Sequence, residues 1–229
     1  MTGIIASPRA PGRFTVIVND KASHTLCLRT IERLGLAIGA VTLGREEVIA
    51  REEAILRTYD RAVTMLAARG RAAKDLERKL IARGEPVEAA RLAVERLVYE
   101  GFVDDASYAR NFVRSKSSSG ALARGRLERE LAARGVERSV AATAITEVFE
   151  DEDVNELAAA ESLASKRNRQ MINLDPPTRR RRLYAFLARR GYAADVVAHA
   201  VAAVTREVLA VNSDAHHPQL EPRAPNRNS

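Results

Sequence analysis

The chain has 229 residues, of which 46% are apolar and only 4% aromatic, so Ala, Leu and Val must supply most of any core. Its formal charge of +7 and pI near 10.0 favour an acidic partner, nucleic acid first, although a basic soluble protein without such a partner is the alternative. A single cysteine excludes a disulfide framework and a cysteine-based zinc site, and no apolar run approaches the roughly 20 residues of a membrane span, so we expect a cytoplasmic protein.

The N-terminal segment combines a lead and a small α+β piece. Glycines and prolines in residues 1–12 predict a disordered lead. The alternation of Phe14, Val16 and Val18 with their neighbours predicts a strand, turn chemistry follows at 19–21, and residues 24–28 suit the returning strand of a hairpin. Residues 13–45 are therefore predicted to form a small segment of mixed structure.

From about Glu46 the pattern is helical, and one motif occurs three times. The motif is L-x3-L-x2-R-G, and its three copies end at Gly84, Gly135 and Gly191, 51 and then 56 residues apart. A repeat of about this period is typical of stacked helical units. Each glycine lies where a helix C′ residue is expected.

The middle unit has the clearest boundaries. Asp104 and Asp105 precede an apolar run and are predicted N-cap residues. The periodic positions that follow are expected to pack inward and comprise Tyr108, Ala109, Phe112, Leu127 and Leu131. Residues 117–120 break the first helix, and Gly135 ends the second. The alternative for the two aspartates is a paired-carboxylate site, but capping explains them without chemistry.

The third unit contains paired prolines at 176–177, which predict a loop, with Thr178 as the cap of the next helix. From about Asn212 the chain has almost no apolar residues, so 212–229 is predicted to be a disordered tail.

Catalytic motifs are absent from the sequence. There is no glycine-rich phosphate loop, no H-E-x2-H and no G-x-S-x-G. The pair His216-His217 lacks further ligands nearby, and its alternative is an exposed pair in the tail. We therefore expect no catalytic residue, no metal site and no cofactor.

Basic residues are the candidate contacts for a partner. Arginine suits phosphate because its planar group donates two hydrogen bonds at once. The candidates in the middle unit are Arg110, Arg114, Arg124, Arg126 and Arg129. The candidates in the third unit are Lys166, Arg167, Arg169, Arg179, Arg180, Arg181 and Arg182. The alternative is a solvated helix face. Arg83, Arg134 and Arg190 precede the C′ glycines and are expected to stabilise helix ends instead.

The stretch Gly101-Phe-Val-Asp-Asp-Ala-Ser-Tyr-Ala-Arg-Asn-Phe-Val, with the later Arg126-Leu-x2-Glu-Leu-x2-Arg-Gly-Val136, resembles the signature of RecX-family regulatory proteins over roughly residues 13–208. The resemblance implies a mainly α fold of three tandem three-helix repeats in an elongated curved array, at 46–103, 104–150 and 151–211. It also implies a non-enzyme that binds RecA and its filament on single-stranded DNA and restrains RecA ATPase and strand exchange. Single-stranded DNA is a possible direct partner, and no membrane or small-molecule substrate is implied.

Two other functions fit the same residues. The chain could be a duplex DNA-binding regulator that uses one helix-turn-helix pair, which predicts a dimer and sequence-selective binding. It could also be a helical scaffold for another protein, with its charge incidental.

Overall fold

The computed structural model describes residues 1–8, 10–19, 21–40, 44–117 and 123–214. Within them, a three-stranded sheet precedes a series of helices. The strands are β1 (Gly3–Ala6), β2 (Arg13–Val18) and β3 (Lys21–Cys27), in the order β1-β2-β3 and antiparallel throughout. The predicted hairpin corresponds to β2 and β3. Val16 and Leu26 of this sheet are fully buried against Ile49 of the first long helix.

The prediction of a disordered lead over residues 1–12 is wrong for β1. Ile4 pairs with Val16, and the amides of Thr2 and Ser7 extend the ladder by donating to Ile17 O and Arg13 O, each at 2.8 Å. A four-residue strand with two consecutive isoleucines shows no alternation, so only its partner strand reveals it.

The helices after the sheet follow the repeat pattern. A short helix, α1 (Leu28–Arg33), comes first. The first repeat comprises α2 (Glu46–Ala68), α3 (Ala73–Ala82) and α4 (Val87–Tyr99). The second comprises α5 (Asp105–Ser117), α6 (Arg124–Ala133) and α7 (Arg138–Asp151). The third comprises α8 (Glu156–Arg169), α9 (Pro176–Arg190) and α10 (Ala194–Asp214). The fold is therefore mainly α, with three-helix repeats after a small sheet.

Two boundaries differ from the sequence-based expectation. The helix α10 runs to Asp214, so the first residues of the predicted tail are helical, and 215–229 lie outside the described residues. The helix α9 begins at Pro176 rather than after the prolines, because a proline lacks only an N–H that has no partner in the first turn of a helix. The segment boundaries predicted for the repeats remain predictions.

The chain forms two compact units. The first contains Met1–Asn111 and Leu131–Ala141, and its helical core is built on Leu76, Leu80 and Leu97. The second contains Phe112–Glu130 and Ala142 onward, with a core built on residues from all three helices of the third repeat. Small alanines, such as the fully buried Ala160 and Ala164 of α8, allow these helices to pack closely.

Candidate nucleic-acid interface

The motif of the middle unit is occupied mainly by structural contacts. Ala109, Leu127 and Leu131 are almost completely buried, while Tyr108 and Phe112 are half-buried. These side chains are therefore largely engaged in packing.

The two aspartates cap two different helices. Asp104 Oδ1 accepts from the amides of Ala106 and Ser107 and so caps its own helix, α5. Hydrogen bonds from Ser107 hold the pKa of Asp104 below its usual value. Asp105, the first residue of α5, instead accepts at 2.8 Å from the amide of Ala73, the first residue of α3. The prediction that Asp105 caps its own helix is wrong, because its carboxylate serves a helix of the preceding repeat.

The same cross-repeat cap recurs one repeat later. Glu156, the first residue of α8, accepts at 2.9 Å from the amide of Arg124, the first residue of α6. Burial raises the pKa of Glu156 above its usual value, although the hydrogen bond and charge of Arg124 partly oppose this. Each of the last two repeats thus supplies a carboxylate to the second helix of the repeat before it.

Two of the three C′ glycines lie at the same junctions between repeats. Gly84, Gly135 and Gly191 have φ of +87°, +84° and +98°, the left-handed region that glycine tolerates best. A Cβ on Gly135 would lie 2.5 Å from Lys74 Cβ, and one on Gly191 would lie 2.7 Å from Arg126 N. A Cβ on Gly84 would meet nothing within 4 Å.

Ion pairs engage most arginines of the first repeat. Arg61 pairs at 2.6 Å with the buried carboxylate of Glu85, which also accepts from Thr58 at 2.8 Å. Exposed arginines pair with exposed glutamates in the same way, as Arg91 does with Glu95 at 2.6 Å. These positive charges are therefore already compensated.

Two of the basic candidates of the middle repeat form ion pairs. Arg114 pairs with Asp151 at 3.2 Å, and Arg126 pairs with Glu130 at 3.0 Å. Burial opposes the ionisation of Glu130, but hydrogen bonds from Arg126 and Lys116 outweigh it and hold the pKa below its usual value. This group of side chains forms a largely neutralised surface.

The other middle-repeat candidates have mixed surroundings. Arg124 donates to Thr146 Oγ1 at 2.9 Å and lies 5.2 Å from the ring centre of Phe149. Arg110 donates to Ser107 Oγ at 3.1 Å. Arg129 is exposed, and its guanidinium lies near Gly191.

One stretch of the third repeat is strongly basic. Between Ala164 and Gly191 the chain has nine basic residues and one acid, Asp175. Within the described part of the chain, no ion pair reaches the candidates Lys166, Arg169 and Arg179 to Arg182. Arg167 donates to Gln170 at 2.7 Å and lies 5.7 Å from the ring centre of Phe186. The helices α8 and α9 therefore carry a cluster of basic residues that form no ion pair among the described residues.

A groove runs along the start of α9, and we call it the α9 groove. Its volume is about 700 Å³. Its walls include Pro176, Pro177, Arg179, Arg180, Arg181 and Tyr184. Arg179 is only 7% exposed, and its Nε is buried without a hydrogen-bond partner in the described structure.

Sequence reasoning missed the groove and its aromatic residue. Tyr184 is 42% exposed and lies four residues after Arg180 and three after Arg181, which places all three on one helix face. That spacing was visible in the sequence, and so was the position of Arg179 four residues before the inward Leu183. An exposed apolar patch at the end of the first repeat was missed as well, where Tyr99 is 91% and Phe102 65% exposed.

Among the residues that the structure describes, no group of three or more His, Cys, Asp or Glu is placed to hold a metal ion. None of the described helices is long and apolar enough to cross a lipid bilayer.

The consecutive three-helix repeats place the chain among helical-repeat proteins, and comparisons with known proteins identify the family. Two family models match, the second three-helix domain of RecX over residues 104–145 and the third over 154–201. The chain belongs to the RecX family of regulatory proteins.

Relatives and solved structures agree with this assignment. The chain is 34% identical over 139 residues to the regulatory protein RecX of Mycobacterium ulcerans (strain Agy99), covering 61% of this chain and 79% of that protein. It is 36% identical over 141 residues to RecX of Amycolatopsis mediterranei (strain U-32), covering 62% and 79%.

A crystal structure of a regulatory protein RecX superposes with a TM-score of 0.71 at 21% identity, over 85% of this chain and 95% of that one. RecX from Lactobacillus salivarius gives 0.58 at 17% identity, over 66% and 96%. At these identities, the two structures support the fold alone.

Proposed function

We propose that this protein binds RecA and its filament on single-stranded DNA and inhibits RecA ATPase, recombinase and strand-exchange activity. It acts by binding, without catalysis and without a cofactor. The observation that carries the proposal is the uncompensated basic surface of the third repeat in a chain that belongs to the RecX family.

Two surfaces support a mixed protein and DNA target. The exposed arginines Arg180, Arg181 and Arg182 have no ion pair in the described structure and suit a phosphate backbone. The exposed aromatic side chains of Tyr99 and Phe102 suit a protein partner, because association would bury their apolar surface. We assign the principal DNA contacts to the third repeat. In the middle repeat, Arg114 and Arg126 are engaged in ion pairs, and Arg124 donates to Thr146 Oγ1.

The test measures the single-strand-dependent ATPase of RecA at increasing amounts of this protein. We expect inhibition at or below one protein per RecA. A variant with Arg180→Gln, Arg181→Gln and Arg182→Gln, called the third-repeat variant, should need several-fold more protein for the same inhibition.

A matched control removes the same charge elsewhere. The control variant carries Arg33→Gln, Arg51→Gln and Arg91→Gln, three exposed arginines that each pair with a glutamate. It should inhibit like the wild type. An unchanged ATPase in the presence of folded wild-type protein would overturn the proposal, and sequence-selective duplex binding by a dimer would favour a duplex-reading regulator instead.

A further inference from the structure

We propose that the α9 groove binds one nucleotide of a single-stranded nucleic acid, with its phosphate on the groove arginines and its base on Tyr184. This inference rests on the proposed function only in requiring that the protein contacts nucleic acid. It adds a defined subsite, with separate places for the phosphate and the base, to a surface that charge alone would leave diffuse.

Arg179 places a positive charge in a buried position beside the α9 groove. Arginine carries a positive charge, yet Arg179 is only 7% exposed and its Nε has no acceptor in the described structure. A buried cation without a partner is unfavourable unless an anion completes it. A phosphate in the groove supplies oxygen acceptors of the geometry that guanidinium prefers.

The acid at the start of α9 does not compensate the charge of Arg179. The Asp175 carboxylate, the one acid of the surrounding sequence, accepts from the amide of Thr178 at 2.9 Å. The hydrogen bond from Thr178 lowers the pKa of Asp175, so this acid is committed to capping.

The backbone of α9 also cannot bind the anion. Pro176 and Pro177 have no N–H, the Thr178 amide is used by Asp175, and the Arg179 amide donates to Asp175 O at 3.0 Å. Recognition of a phosphate therefore falls on the arginine side chains, with the helix dipole adding a modest positive potential.

The α9 groove also has an apolar part, which suits a base. Tyr184 shares a helix face with Arg180 and Arg181, and the two prolines extend the apolar wall beside them. An aromatic ring between arginines matches the alternation of base and phosphate along a single strand. A duplex keeps its bases stacked on each other, so only a single strand presents a free base face to Tyr184.

The first experiment separates base from phosphate binding with the full-length chain. Fluorescence anisotropy measures the Kd for a labelled oligothymidylate and for an abasic deoxyribose-phosphate strand of equal length. Tyr184→Ala should weaken oligothymidylate binding by about 5-fold or more and leave abasic binding unchanged. Tyr184→Phe keeps the ring and should bind both strands like the wild type.

The second experiment tests the buried arginine against a matched neighbour. Arg182 carries the same charge on the same helix but is exposed and does not line the groove. Arg179→Met should weaken binding to both strands more than Arg182→Met does. Because methionine removes a buried charge, the Tm of the free variant should equal or exceed that of the wild type. Arg181→Gln against Arg182→Gln gives the same comparison if Arg179→Met fails to fold.

Two results would overturn the subsite. Equal weakening of both strands by Tyr184→Ala would mean that no base lies on the ring. Equal losses at the groove positions and at Arg182 would mean that only the general basic surface binds. The RecA ATPase assay is independent of both results, so failure of the subsite is distinguishable from failure of the proposed function.

Discussion

Gly84 and Gly135 occupy the same position in consecutive repeats and have almost the same φ, +87° and +84°. Their surroundings differ, because a Cβ at Gly84 would meet open space while one at Gly135 would lie 2.5 Å from Lys74 Cβ. The chain thus separates the two roles of a C′ glycine, which are backbone conformation and close approach.

This pair gives a prediction about stability. Gly84→Ala should lower the free energy of unfolding by about 1–2 kcal/mol, the penalty of a left-handed alanine. Gly135→Ala should lower it further, because the added methyl group also displaces Lys74. Urea denaturation monitored by circular dichroism measures both values. Equal losses would show that Lys74 moves aside without cost.

For these single residues, the sequence predicted the C′ role of each glycine but not its contacts. The motif L-x3-L-x2-R-G identifies a helix end locally. The close approach of Lys74 to Gly135 joins residues far apart in the sequence, and nothing in the local pattern encodes it. Arg179 is different, because it lies four residues before Leu183 and so falls on the inward stripe that Leu183 and Leu187 define.

Helix capping shows how elements depend on one another. The amides at the starts of α3 and α6 are capped by Asp105 and Glu156, from the first helices of the following repeats. The sequence predicted Asp104 and Asp105 as a local pair, and the cap of α5 by Asp104 agrees with that. The destination of Asp105 was not predictable, because a residue in the first turn can reach its own helix or a neighbouring one.

The cap of α6 by Glu156 and the cap of α5 by Asp104 predict opposite dependences of stability on pH. Glu156 has a raised pKa, so its contribution to stability is greatest below the ordinary Glu pKa of about 4.3 and is lost as pH rises through the raised value. Glu156→Gln keeps an acceptor for the Arg124 amide without a charge to desolvate. The variant should therefore gain Tm relative to the wild type as pH rises from about 4 to 7.

Asp104 provides the matched comparison for Glu156. Its pKa is lowered, so its stabilisation is present above the ordinary Asp pKa of about 3.9 and is lost as pH falls. Asp104→Asn should accordingly lose Tm at neutral pH and approach the wild type in acid. The two series need only thermal unfolding at several pH values. If the Tm differences of Glu156→Gln and Asp104→Asn changed with pH in the same direction, the raised pKa of Glu156 would be contradicted. Desolvation is the largest cause of that raised pKa, and the charges of Asp195 and Glu128 add to it.

Over the whole molecule, the formal charge of +7 is unevenly distributed. Repeat periodicity and net charge were readable from the sequence, and so was the basic run at Arg179 to Arg182. Which basic residues are compensated was not readable, because pairs such as Arg114 with Asp151 join separate helices. The sequence therefore predicted the fold class and a charged candidate set, and the structure divides that set into paired and unpaired members.

This division predicts how salt affects DNA binding. The slope of log Kd against log salt for single-stranded DNA should decrease by up to about 2 in the third-repeat variant, since each lost phosphate contact removes about 0.7. The control variant, with the same change in charge, should retain the wild-type slope. A similar decrease in both would show that overall charge, and not the basic surface of the third repeat, governs binding.

The capping contacts also indicate how the series of repeats ends. The second helices of the first two repeats take a carboxylate from the repeat that follows, whereas α9 is capped by its own Asp175 and begins with two prolines. The starts of α3 and α6 therefore depend for their caps on the repeat that follows, whereas the start of α9 depends on no residue outside its own repeat.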